Sequence, residues 1–212
     1  MEQVLQNLFE AVLEGNFEGV KANVQSALDA ELDPNTILND GMIAAMREVG
    51  VRFEAGEYYV PEMLIAARAM QSGMAILKPH LQQEEKKSSG RVVMGTVKGD
   101  LHDIGKNLVG LMLEGAGYEI IDLGVDVPAE EFVKKAMELK PDVIGMSALL
   151  TTTMPSMKTT LDALDAAGLR RGIKVIVGGA PVTETYAQQI EADGFALDAS
   201  RAVNLVNDLL GK

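Results

Sequence analysis

A chain of 212 residues, 47% apolar and 24% charged, can bury a sizeable core in one large or two modest domains. It has no cysteine, which excludes disulfides and thiolate metal sites, and only two histidines. The net charge of −12 is shared by both halves, so no basic face is on offer to a phosphate backbone and no nucleic-acid partner is expected. The first residues lack a basic leader and no apolar run reaches the ~18–20 residues of a membrane span. The expectation is a soluble, cytoplasmic protein with no membrane partner.

The first half reads as helix. Leu5, Leu8, Phe9 and Val12 recur at three- and four-residue spacings, as do Val20, Val24 and Leu28. Gly15 or Asn16 closes the first helix. Asp33-Pro34-Asn35 separates the second from the third, and Pro34 suits a first helical turn. A third helix is expected over about 36–54, broken by Ala55-Gly56-Glu57-Tyr58, and a fourth from near Val60 to about Leu81. Four helices with short connections predict a small bundle over residues 1–88. Tyr59, Met63, Ala66, Met70 and Met74 form a stripe along the fourth helix, a pattern that most often marks bundle core. The polar stretch 80–91, containing Ser88-Ser89-Gly90, reads as a linker.

Beyond it the period changes. Residues 91–97, 118–124, 142–149 and 174–179 are short apolar runs of buried-strand character, with a weaker fifth at 194–197. Helical patterns fall at about 105–116, 129–139, 154–167 and 200–210. Strands joined by helices predict an α/β domain over 89–212, with a doubly wound parallel sheet of about five strands, flavodoxin- or Rossmann-like. Ligands of such sheets bind at the carboxyl ends of the strands. That singles out the loops at 98–105, 147–153 and 178–182.

The first of these loops holds Asp100, His102, Asp103 and Gly105. Asp103 can simply cap the following helix. Asp100, however, is close enough to pair with the imidazole, and a carboxylate on one ring nitrogen fixes the tautomer and raises the basicity of the other. A metal bound by one histidine needs its remaining donors from elsewhere, and a planar macrocycle would supply them. Ser147 either extends the Asp100–His102 chain or caps the next helix. Gly178-Gly179-Ala180-Pro181 is either a tight turn or room for a ligand against backbone. No dinucleotide fingerprint and no P-loop is present.

Asp100-x-His102-x-x-Gly105, Ser147-x-Leu149 and Gly178-Gly179, separated by residues 106–146 and 150–177, resemble the signature of base-off/His-on corrinoid-binding proteins. The run VKGDLHDIGKN, residues 97–107, resembles the cobalamin module of methionine synthase and the corrinoid proteins of methanol, methylamine and betaine methyl transfer. The helical half looks like the four-helix cap of the same family. The resemblance implies a cobalamin or related corrinoid as cofactor, with His102 the lower axial ligand to cobalt. Asp100 would hold the other ring nitrogen, and Ser147 would continue the relay, coupling ligation to proton uptake. Asp103, Ile104, Gly105, Leu149, Thr151, Gly178, Gly179 and Ala180 would lie against the cofactor, while Tyr59 and Met63 would shield its upper face. The implied function is a methyl carrier, inactive alone, between a substrate-specific methyltransferase and a methyl-acceptor methyltransferase, served by a reductive activator. A cobalamin-sensing regulatory module lacks the basic patch or spare segment it would need. The small subunit of an adenosylcobalamin mutase shares the histidine loop, but the four-helix segment argues against it.

Overall fold

The computed structural model describes residues 2–81 and 89–212; residues 82–88 of the expected linker lie outside the described residues. The chain divides into two compact units, one of Met1–Ser88 with Gly115–Gly117, the other of Ser89–Glu114 and Tyr118–Lys212. Among the described residues no helix is long and apolar enough to cross a membrane.

The helical unit holds α1 (Glu2–Leu13), α2 (Phe17–Asp29), α3 (Pro34–Thr36), α4 (Ala44–Glu54) and α5 (Val60–Leu81). Its boundaries follow local chemistry. Asn16 caps α2 by accepting from the Gly19 N–H at 2.9 Å, and Asp33 caps α3 by accepting from the Thr36 N–H at 2.8 Å, with Pro34 at the first helical position. The third expected helix is present but not uniform. Between α3 and α4 the chain runs through a π-helical stretch, Ile37–Ile43. Within it Gly41 packs closely on α1, where a β-carbon would sit 2.7 Å from Leu8 Cδ2. Leu8, Val12, Val24, Ile37, Met46 and Met63 are all essentially inaccessible and form the core of the unit. Each such side chain contributes on the order of 1.5–3 kcal/mol by its burial.

The sheet unit holds β1 (Arg91–Thr96), α6 (Ile104–Gly115), β2 (Glu119–Asp122), α7 (Ala129–Leu139), β3 (Val143–Ser147), α8 (Pro155–Ala166), β4 (Lys174–Gly178), α9 (Glu184–Gln189), β5 (Gly194–Phe195) and α10 (Ala199–Leu210). The strands are parallel in the order β2-β1-β3-β4-β5. This is the doubly wound order whose direction of winding reverses between β1 and β3. Val93 lies beside Ile121 on one flank and Ile144 on the other, which fixes the register at the centre. Val93, Ile144, Val175 and Phe132 are fully buried in one contiguous core. The short helix α9 is absent from the sequence reading. Its start is set by Thr183, whose hydroxyl accepts from the Tyr186 N–H at 3.2 Å.

Candidate functional site

The reversal between β1 and β3 brings together two loops, 97–103 and 148–154, at the carboxyl ends of the strands. Backbone bonds tie them to the sheet: the Val97 N–H donates to the Ser147 carbonyl at 3.0 Å, and the Ala148 N–H to the Gly178 carbonyl at 3.2 Å. Asp100 projects into the space between them and is completely buried. A buried carboxylate requires compensation by hydrogen bonds, and every donor here is on one of the two loops. Oδ1 accepts from the His102 N–H at 3.1 Å and from His102 Nδ1 at 2.7 Å. Oδ2 accepts from the Thr153 hydroxyl at 2.7 Å and from the Leu149 and Leu150 N–H groups at 2.7 and 3.3 Å.

Burial acts most strongly on Asp100 and by itself would push its carboxyl up. The bonds from Thr153, the Leu149 N–H and His102 together outweigh it and hold the group well below the usual carboxylate range. Asp100 is therefore an anion that only accepts, so the proton between it and His102 belongs to Nδ1. The lone pair is left on Nε2, on a side chain 51% exposed. This is the tautomer a metal-binding imidazole needs.

The hydroxyl that meets the Asp100 carboxylate is that of Thr153; Ser147 closes β3 half-buried and contributes its carbonyl to Val97. The turn at 150–153, closed by the Thr153 N–H to the Leu150 carbonyl at 3.0 Å, carries Thr153 back under Asp100. Tyr186 secures the same turn, its hydroxyl donating to the Met154 carbonyl at 2.7 Å. Asp103 precedes α6, its carbonyl accepting from the Asn107 N–H at 2.8 Å and its carboxylate from the Asn107 amide at 3.1 Å. Gly105 faces open space: no atom lies within 4 Å of where a β-carbon would be. Thr151 and Ala180 are exposed.

Gly179 has a reason beyond room for a ligand. At φ 128° its β-carbon would fall 1.9 Å from the Ala148 carbonyl oxygen, so the protein's own backbone requires glycine there. In the helical unit, Met63 is fully buried and belongs to the core, whereas Tyr59 is 66% exposed, its N–H donating to Glu62 at 3.0 Å. Of the expected shield pair, only Tyr59 presents surface.

Sequence reasoning also passes over Asp126. It lies after β2 in the left-handed conformation, φ 54°, and its N–H donates to the Asp100 carbonyl at 2.9 Å. Oδ1 accepts from the Gly99 N–H at 2.7 Å, and Lys98 Nζ lies 3.1 Å away. The Gly99 N–H above all, then Lys98, keeps the Asp126 carboxyl below its ordinary range. Lys106, nearly inaccessible in the first turn of α6, is anchored to Asp122 at 2.6 Å and to the Asn107 amide oxygen at 2.7 Å. Asp122 and Asp126 lie outside the motif run 97–107, after β2, so nothing in the motif points to them.

Around His102 the surface is apolar. Leu101 and Ile104 are 71% and 82% exposed, and Val125, Leu149, Leu150 and Leu197 at neighbouring strand ends are also exposed. Among the described residues no group of three or more His, Cys, Asp or Glu is placed to hold a metal ion. One oriented imidazole, open space over Gly105 and an apolar surround fit a cofactor that brings its own equatorial donors and a large apolar body. They fit a corrinoid.

Comparison with known proteins agrees. Family models described as B12 binding domain match residues 90–204 and residues 4–78. A dimethylamine corrinoid protein of Methanosarcina acetivorans is 45% identical over 210 residues, covering 99% of this chain and 98% of that one. Among solved structures, a cobalamin-binding protein from Desulfitobacterium hafniense superposes with TM-score 0.80 at 35% identity, covering 97% of this chain and 98% of that chain. The methanol:cobalamin methyltransferase complex of Methanosarcina barkeri gives 0.90 at 30% identity, covering 99% of this chain and 80% of that one. The chain belongs to the family of B12-binding corrinoid proteins.

Proposed function

We propose that this protein carries a methyl group on a protein-held corrinoid, receiving it with the help of one methyltransferase and surrendering it with the help of another. When bound, the corrinoid supplies a cobalt centre able to accept and donate a methyl group; the protein supplies position and electronic tuning. The observation that carries the reading is the 2.7 Å contact of His102 Nδ1 with the buried Asp100 carboxylate. Asp100 is ionised and fully engaged, so Nδ1–H is committed and Nε2 is the basic, half-exposed donor available as lower axial ligand. Thr153 and the Leu149 N–H hold Asp100 in that role, and Ser147 stands at the end of the adjacent strand. Gly105, Leu149, Thr151, Gly178, Gly179 and Ala180 are assigned to the cofactor cradle with Asp103 and Ile104, and Tyr59 to the shielding of the upper face.

In this reading residues 1–88 form the cap domain and residues 89–212 the corrinoid-binding domain. The two matched family segments and the two compact units support that division. Relatives named for dimethylamine and trimethylamine make a small methylated amine the class of donor to try first. The partners are a donor-specific methyltransferase, an acceptor methyltransferase and a reductive activator, all in the cytoplasm; the acidic, cysteine-free composition suits that setting.

The test is single-turnover methyl transfer. The protein is loaded with hydroxocobalamin, reduced, and mixed with a methylamine-specific methyltransferase and its donor. Appearance of the methylated cofactor's absorbance, and its decay when an acceptor methyltransferase and a thiol are added, is expected. Stable binding of hydroxocobalamin with no methylation by any donor system would instead indicate a sensor.

A further inference from the structure

The contacts of Asp126 carry a role that goes deeper than the motif residues, and it rests on the corrinoid reading above. Asp126 grips the histidine loop on both sides of the Asp100 α-carbon. Its carboxylate takes the Gly99 N–H at 2.7 Å and its own N–H reaches the Asp100 carbonyl at 2.9 Å. The neighbouring residues extend the grip: Val97 and Val127 form a parallel bridge, the Val127 N–H donates to the Thr96 carbonyl at 2.9 Å, and the Thr96 N–H donates to the Gly124 carbonyl at 3.0 Å. The Asp100 N–H closes the turn on the Val97 carbonyl at 3.1 Å. With the peptide groups on both sides of Asp100 bonded, its α-carbon is held where the side chain reaches Thr153 and Leu149. Asp126 adopts a left-handed backbone to do this, a conformation that among non-glycine residues Asn and Asp reach most readily.

We propose that Asp126 is a positioning residue for axial ligation, acting through the backbone of residues 99–100 to keep Asp100 on His102 Nδ1. The ion pair with Lys98 is secondary, since both side chains are largely exposed, 61% and 43%, and such pairs contribute little. The essential element is the acceptor offered to Gly99.

Four variants separate these parts: Asp126→Asn keeps an acceptor and the left-handed turn, Asp126→Gly keeps the turn and removes the acceptor, Asp126→Ser offers a shorter acceptor, and Lys98→Met removes only the ion pair. Each is titrated with hydroxocobalamin at fixed pH, and the fraction of bound cofactor ligated by histidine is read from the absorbance spectrum, with His102→Ala as the unligated reference. For D126N and K98M, a histidine-ligated fraction and an affinity within about twofold of wild type are expected. For D126G, ligation falls towards the H102A spectrum and affinity drops about tenfold, the equivalent of about 1.4 kcal/mol; D126S lies between. If D126G does not fold, D126S decides. A wild-type histidine-ligated spectrum in the folded glycine or serine variant overturns the proposal, as does loss of ligation in K98M. Failure of the wild type itself to show ligation that depends on His102 would overturn the corrinoid reading instead, and the two failures cannot be confused.

Discussion

The core of the helical unit and the loops at the strand ends handle the same two kinds of side chain in opposite ways. In the helices, Leu8, Val24, Met46 and Met63 are sealed inside and the charged groups face outward. At the strand ends Asp100 is sealed inside, while Leu101 and Ile104 stand 71% and 82% exposed. The first arrangement is what the hydrophobic effect alone produces. The second runs against it by burying a charge, which five hydrogen bonds converging on Asp100 compensate, beside the most exposed large apolar groups of the described residues. A protein accepts such an inversion where a ligand is to be met, and the exposed leucine and isoleucine are surface that a bound corrinoid would cover.

The contrast can be broken from either side. The largest expected effect is on the helical side: Leu8→Ala should lower unfolding free energy by about 2–5 kcal/mol in urea titration, by lost burial and a residual cavity, and leave the histidine-ligated spectrum of bound hydroxocobalamin unchanged. Thr153→Val comes next. It strips Asp100 of one donor while keeping the shape, so a loss of about 1–3 kcal/mol is expected, with weaker ligation by His102; Thr153→Ser should restore both.

The acid response follows from the sign of the Asp100 shift. Its carboxyl is depressed in the folded state from an unfolded value of roughly 3.9. Its stabilisation is therefore complete above about pH 4 and fades as pH falls further through the folded value. Asp100→Asn removes that proton linkage, so unfolding free energy measured below pH 4 should fall less steeply than in wild type, by up to about 1.4 kcal/mol per pH unit. The smallest effect belongs to Leu101→Ser. Stability should move by no more than about 0.5 kcal/mol, yet hydroxocobalamin affinity should drop several-fold in the same titration. A large stability loss there would mean that the exposed leucine serves the fold and not the ligand.

How far the sequence reveals all this depends on the range of the interaction. Helices and strands with regular apolar periods are legible, since the core selects one face of each. The π-helical stretch is not, because the apolar period that marks a helix does not distinguish its wider turn. The motif places His102, Asp100 and Ser147 at strand ends, but spacing does not say whether Ser147 or one of the three threonines after β3 reaches Asp100; a tight turn brings Thr153 there. The Met63 stripe illustrates the reverse: its helical spacing most often marks bundle core, and Met63 is fully buried. Asp126 has no local signal at all, since its partners lie in another loop.

The central claim is that one nitrogen, His102 Nε2, is the protein's ligand to cobalt. Electron paramagnetic resonance of the protein loaded with cobalamin and reduced to the cobalt(II) form tests it directly. Protein grown with natural-abundance histidine should show each cobalt line split into a triplet by one axial nitrogen. Protein labelled with nitrogen-15 only in histidine should show a doublet, and the same label in His102→Ala should show none. A triplet that survives the histidine label in the wild-type protein, or a doublet that persists in labelled H102A, would contradict the account.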